Sequence, residues 1–203
     1  MILKIIILFF AATLSAREPA VFTQIKNSAV KKAISLIPYK NSFIPALDKK
    51  FNYDCSGLVL AAYYSAGYDL LAISGKKKLS PDMAKNIYML FPEAKNTNRT
   101  LKPSAGDLIF FNNTYDKNRN GKWDDFLTHV AIIVKTDPDG TISFIHVTGK
   151  GIVKEYINLS FPQQMTRQGK IINSYLRVRP TSDPVRIKYL AANFFYCFLV
   201  LSP

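Results

Sequence analysis

Asn52-Tyr53-Asp54-Cys55-Ser56-Gly57-Leu58-Val59 is where a polar loop turns into an apolar, helix-forming run, with a cysteine at the turn. A thiol at a helix N-terminus meets the positive end of the macrodipole and unpaired N–H groups, which lowers its pKa and favours the nucleophilic thiolate. The periodicity predicts a helix over 55–66, with Leu58, Val59, Ala62 and Tyr63 inward and Gly67 capping its end. Gly57 in the first turn weakens that helix but lets a neighbouring backbone approach closely. The chain's two histidines, His129 and His146, both lie downstream in strand-like segments. One cysteine and two histidines on elements able to pack together form a candidate catalytic constellation.

Upstream, Val21, Ile25, Ala29, Ala33 and Leu36/Ile37 recur at helical spacing and predict a helix over 20–37, ended by Pro38. Residues 38–53 read as a loop carrying Tyr39 and Pro45. Residues 76–95 are partly helical, with Ser80 as N-cap, Pro81 at the first position and Asp82 favouring the N-terminus. Downstream the pattern changes to short apolar runs: 107–111, 129–134, 142–147, 152–156 and 174–178. Helices first and strands afterwards point to an α+β fold with an antiparallel sheet.

With 203 residues, 48% of them hydrophobic, the chain can build one core but not two sizeable domains. Met1-Ile2-Leu3-Lys4, an apolar run to Leu14 and then Ser15-Ala16 describe a secretory signal peptide over 1–16, shorter than a membrane span. The expected location is therefore the periplasm, cell envelope or exterior. Without Lys4 the net charge falls from +13 to +12, which favours anionic partners. No stripe of basic residues interleaved with aromatics stands out, so nucleic acid is not an expected partner. Cys55 and Cys197 are the two cysteines, and a nucleophile must stay free, so no structural disulfide is implied.

Asp137-Pro138-Asp139-Gly140 is a strong turn between two strand-like runs. A four-residue loop flanked by 136 and 141 places His146 opposite Ala131, with His129 two residues along the same face, at a diagonal of about 7–8 Å. A register two residues along sets the histidines directly opposite each other, whereas an odd loop sends them to opposite faces. A cysteine nucleophile needs an imidazole base, and that imidazole needs a third polar group to fix its tautomer.

Asp54-Cys55-Ser56-Gly57-Leu58-Val59, Gly106-Asp107-Leu108-Ile109-Phe110-Phe111, His129-Val130-Ala131-Ile132 and Ile145-His146, in that order, resemble the NlpC/p60 family of cell-wall cysteine peptidases over roughly residues 33–180. The resemblance implies a papain-like core and cleavage of peptide bonds in bacterial peptidoglycan stems, commonly next to D-glutamate. It implies Cys55 as nucleophile, His129 as base and His146 as the orienting third residue. Tyr39 is similar to a family tyrosine that lines the site, and Asp54 and Ser56 to residues that shape the substrate site. For these two, helix capping is the alternative, and for Tyr39 a packed loop position. The N–H of Cys55 would serve as oxyanion donor. Two features depart from the family: Lys40-Asn41-Ser42 replaces the usual glycine pair, and the connection from Phe111 to His129 is long.

That connection holds Asp116, Asn118, Asn120 and Asp124 at positions one, three, five and nine of a calcium-loop spacing, with Gly121 at six. Leu127 stands where the bidentate glutamate belongs, and Asp125 is the only nearby substitute. A structural calcium ion or a polar, turn-rich loop are the two readings; catalysis requires no cofactor. After the domain over 17–185, the tail 186–203 carries an apolar run from Tyr189 to Leu201 flanked by Arg186 and Lys188. It reads as a core or surface-packing helix, or as a segment for membrane-surface association.

The expected function is an exported cysteine peptidase or amidase whose partners are peptidoglycan peptides. The alternatives are a non-catalytic wall- or membrane-binding module, and an acyltransferase or amidase acting on a non-wall substrate.

Overall fold

A computed structural model describes residues 20–72, 80–91, 95–96, 102–177 and 186–202. The segment 1–16, expected to be a signal peptide, lies outside the described residues. Helix α1 covers 20–35. A hairpin of β1 (Phe43–Ala46) and β2 (Lys49–Asn52) follows, then α2 (Cys55–Ser65) and α3 (Met83–Leu90). The strands β3 (Lys95–Asn96), β4 (Leu108–Phe111), β5 (His129–Thr136), β6 (Ile142–Thr148), β7 (Gly151–Ile157), β8 (Thr166–Arg167), β9 (Lys170–Ile171) and β10 (Phe195–Leu199) complete the chain. The main sheet has six strands in the order β3-β10-β4-β5-β6-β7, with every neighbour antiparallel. The α+β architecture with helices packed on an antiparallel sheet is the one the sequence predicts.

Two apolar layers sandwich the sheet. Ala29 and Ala33 of α1, Leu36 in the turn after it and Leu58 to Tyr63 of α2 pack on Leu108, Phe110, Val130, Ile132, Ile145 and Leu199. On the far face, Ile109, Phe111, Ala131, Ile133, Phe144 and Phe198 meet Ala191, Ala192 and Phe194. Residues 56 to 63 of α2 are all buried, so this helix is apolar on every side and lies at the centre of the fold. Gly57 permits that position, because a Cβ there would overlap the carbonyl oxygen of Asn52.

Three local expectations change. The loop expected over 38–53 contains the β1–β2 hairpin, turned at Leu47, whose φ of 52° is left-handed. Asp82, rather than Ser80, caps α3 by accepting from the N–H of Lys85. Ser174–Leu176 is not a strand; Tyr175 makes one isolated bridge to Leu190.

The larger correction concerns the tail. The apolar run is not a helix. Its first part, Ala191–Asn193, is a short 3-10 turn on the far face, and β10 then enters the sheet between β3 and β4. A strand buried on both faces reads as a continuous apolar run, and its phenylalanines favour the extended state. Cys197, Phe198 and Leu199 are fully buried, so the side chains a membrane would meet face protein instead. The tail set apart at 186 thus supplies a strand of the same core. No helix among the described residues is long and apolar enough to cross a membrane.

A buried charge cluster locks the tail in place. Lys26 Nζ of α1 donates to Asp107 Oδ1 at 2.5 Å and to Ser104 Oγ at 3.0 Å. Asp107 also accepts from the N–H of Ser104 (2.8 Å) and of Leu201 (3.0 Å). The neighbouring Gly106 has φ +88°, and its carbonyl accepts from the Tyr63 hydroxyl. The Gly-Asp pair is therefore a junction joining α1, α2, β4 and the tail.

Candidate active site

The β5–β6 hairpin sets the register of the histidines. Its loop, residues 137–141, has five residues, with Thr136 opposite Ile142. That odd length alone would send the histidines to opposite faces. A bulge at Val134 adds one unpaired residue to β5, so Ile133 pairs with Phe144 and Ile132 with Ile145. Continued toward the site, this register sets Ala131 opposite His146, and both imidazoles come to the same face. The rings meet edge to face, with His129 Nε2 2.7 Å from His146 Nδ1.

Cys55 begins α2. Asp54 is the N-cap: its Oδ1 accepts from the N–H of Gly57 at 2.7 Å and from the Ser56 hydroxyl at 2.6 Å. Both neighbours of the cysteine are thus engaged in capping. The backbone N–H of Val130 lies close enough to the Cys55 sulfur to favour its charged form, as do those of Ser56 and Cys55. His129 turns Nε2 to His146, and its ring packs beside Phe111.

The electrostatics correct one expectation. Burial pushes the Cys55 thiol up to about 11; the N–H of Val130 opposes the shift, the Asp54 carboxylate adds to it, and the N–H groups of Ser56 and Cys55 offset it only in part. The helix N-terminus therefore does not produce a resting thiolate, because the desolvation cost of a charged sulfur exceeds what those dipoles return. Burial, reinforced by His146, also holds His129 well below the ordinary histidine value. Both groups are thus shifted toward their neutral forms.

The sequence reading missed one residue. Glu155 Oε2 lies 2.9 Å from His146 Nε2 and extends the polar chain to β7. Its signal was the two-residue turn Gly149-Lys150, which sets Thr148 opposite Gly151 and Phe144 opposite Glu155. That register puts Glu155 on the same face as His146, two pairs along.

Two clefts flank the pair. One of about 630 Å³ is lined by Asp54, Cys55, Ser56, Met83, Tyr115 and Thr128, and an Asp82–Lys117 ion pair joins α3 to the β4–β5 connection at its rim. The other, of about 670 Å³, is lined by His129, His146, Glu155, Gly149, Lys150 and Arg177. Tyr39 lines neither. Its hydroxyl donates to the Phe43 carbonyl at 2.9 Å and its own carbonyl accepts from Tyr53, so it braces the turn before β1.

The 116–125 loop closes on itself. Asp116 accepts from the N–H groups of Asn120 and Gly121, at 3.2 and 2.8 Å. Asp124 accepts from the side-chain amides of Asn118 and Asn120. Asp125 accepts the N–H of Lys117 at 2.9 Å. Among the described residues no three His, Cys, Asp or Glu side chains gather to hold a metal ion.

Cys55 opens α2, α2 packs against β5, and β5 begins at His129, which is bonded to His146; a thiol and an imidazole are the groups that thiol-dependent acyl transfer uses. The model of the NlpC/P60 family matches residues 42–170, more than half of the chain. No individual curated protein matches it.

Proposed function

The chain belongs to the NlpC/P60 family, which carries a papain-like fold and a cell-wall peptidase or amidase kind of function, and on that footing we propose that it is an exported cysteine peptidase cleaving amide bonds in peptidoglycan stem peptides. The observation that carries the reading is Cys55 at the start of α2, which packs against β5, with His129 at the start of that strand bonded to His146.

In the proposed reaction, a stem peptide lies across the two clefts with its scissile carbonyl over Cys55. The Sγ–H proton moves to His129 Nδ1 as sulfur attacks the carbonyl carbon. The oxyanion forms against the N–H of Cys55 at the start of α2, where the helix dipole favours negative charge. His129 gives its proton to the leaving amine, then takes one from the water that releases the acyl group. Because thiol and imidazole both rest neutral, the thiolate forms only in step with attack. The net charge of +12 without residues 1–16 suits an anionic envelope.

Replacing Cys55 with Ala should abolish release of soluble fragments from purified sacculi. Unchanged release would defeat the mechanism. Mass spectrometry of digested muropeptides identifies the bond and separates peptidase from amidase or acyltransferase products.

The high thiol pKa favours a second reading, a wall-binding module that keeps the shell without the chemistry. Thiol labelling separates the two. A substrate-like electrophile should modify Cys55 and spare the fully buried Cys197 in an enzyme, and modify neither in a binder. No step uses a metal, so a calcium chelator should leave fragment release unchanged; a loss would assign the 116–125 loop an ion.

A further inference from the structure

We propose that Glu155 is a positioning residue that fixes the proton arrangement of both histidines, making Cys55, His129, His146 and Glu155 one directed chain. This rests on the reading of Cys55 as nucleophile and His129 as base. A carboxylate oxygen only accepts, so at 2.9 Å from Glu155 Oε2 the Nε2 of His146 must carry the proton. A neutral His146 then has a bare Nδ1. That nitrogen sits 2.7 Å from Nε2 of His129, which must donate to it. The proton of His129 is thereby placed on Nε2, and its Nδ1 keeps the lone pair that a base needs. Each link dictates the next.

Without Glu155 the opposite arrangement becomes open. His146 could carry its proton on Nδ1 and donate to His129, whose own proton would then sit on Nδ1 and face the thiol as a donor. In that tautomer His129 cannot take the thiol proton. His146 is 1% exposed and Glu155 23% exposed at the side chain, so the directing charge touches solvent while the ring it directs does not. During attack the Sγ–H bond breaks, the S–C bond forms, and the proton rests on His129 Nδ1 until the leaving amine takes it. Glu155 gains no proton. Its carboxylate steadies the transient imidazolium through His146.

The chain has two histidines, so nitrogen NMR of the full-length protein near neutral pH shows two imidazoles. Both should carry hydrogen on Nε2 and none on Nδ1. A proton on Nδ1 of His129, or on both nitrogens of His146, would overturn the proposal. In Glu155→Leu, alkylation of Cys55 by iodoacetamide should slow at least about tenfold and the fixed tautomers should be lost. Glu155→Gln keeps an accepting oxygen and should stay within about threefold of the parent protein. An unchanged rate in folded Glu155→Leu would also sink it. If that variant does not fold, the parent spectrum and Glu155→Gln still decide. Sacculi left intact by a protein with the expected tautomers would count against the substrate reading and not against Glu155.

Discussion

Cys55 and His129 are each held uncharged by the protein around them, and that sets how the site should respond to pH. A resting ion pair loses activity when its imidazolium gives up a proton, usually on the alkaline side. Here the base is the neutral imidazole, so activity should be lost only as pH falls through the His129 value, well below about 6.5. With the thiol at about 11, kcat/KM should show no alkaline fall between about pH 7 and 10. An acid limb at or above about 6.5 would show that His129 is not held neutral. His129→Ala should lower kcat by about 10²–10⁴-fold. The sequence singles out both residues as candidates; the direction of the thiol shift was not legible in it. The helix start is written in local residues, whereas burial of the sulfur comes from β5, far along the chain. Glu155 was legible in principle, because Gly149-Lys150 fixes its register.

At the scale of elements, α2 depends on two small features at its start. Asp54→Ala removes the cap of Gly57 and the partner of Ser56, and should cost about 1 kcal/mol. Gly57→Ala should cost more, because the new methyl displaces the β2 backbone at Asn52. Urea unfolding of both variants checks that order. β10 shows why an apolar run alone misleads: length and hydrophobicity fit a buried helix as well as a buried strand. What decides is the gap between β3 and β4, which no local pattern reveals. Phe198→Ala, in the middle of that strand, should destabilise by about 3–5 kcal/mol.

For the whole molecule, Lys26 and Asp107 join α1, the start of β4 and the tail. Asp107→Ala leaves the Lys26 ammonium buried without its partner, and should cost about 3–5 kcal/mol in denaturant unfolding. Replacing both with apolar residues of similar size should restore much of that loss. His129 adds a pH dependence of global stability. Its folded-state pKa is depressed, so below about 6.5 the unfolded chain takes up a proton the folded chain refuses. This contribution is complete above about 6.5 and is lost as pH falls toward the folded value, by up to about 1.4 kcal/mol per unit. A His129→Gln variant should unfold with a shallower acid slope.

The bulge at Val134 splits the β5–β6 hairpin into two independently measured halves. Loop length governs the outer half, near Thr136 and Ile142, while the inner half carries the imidazoles. Five residues separate Ala131 from Thr136, about 17 Å of strand. Insertions or deletions at the tip are therefore absorbed before they reach the chemistry. The 137–141 turn is a place where this protein can accept an epitope tag or a fluorophore and keep its catalytic alignment.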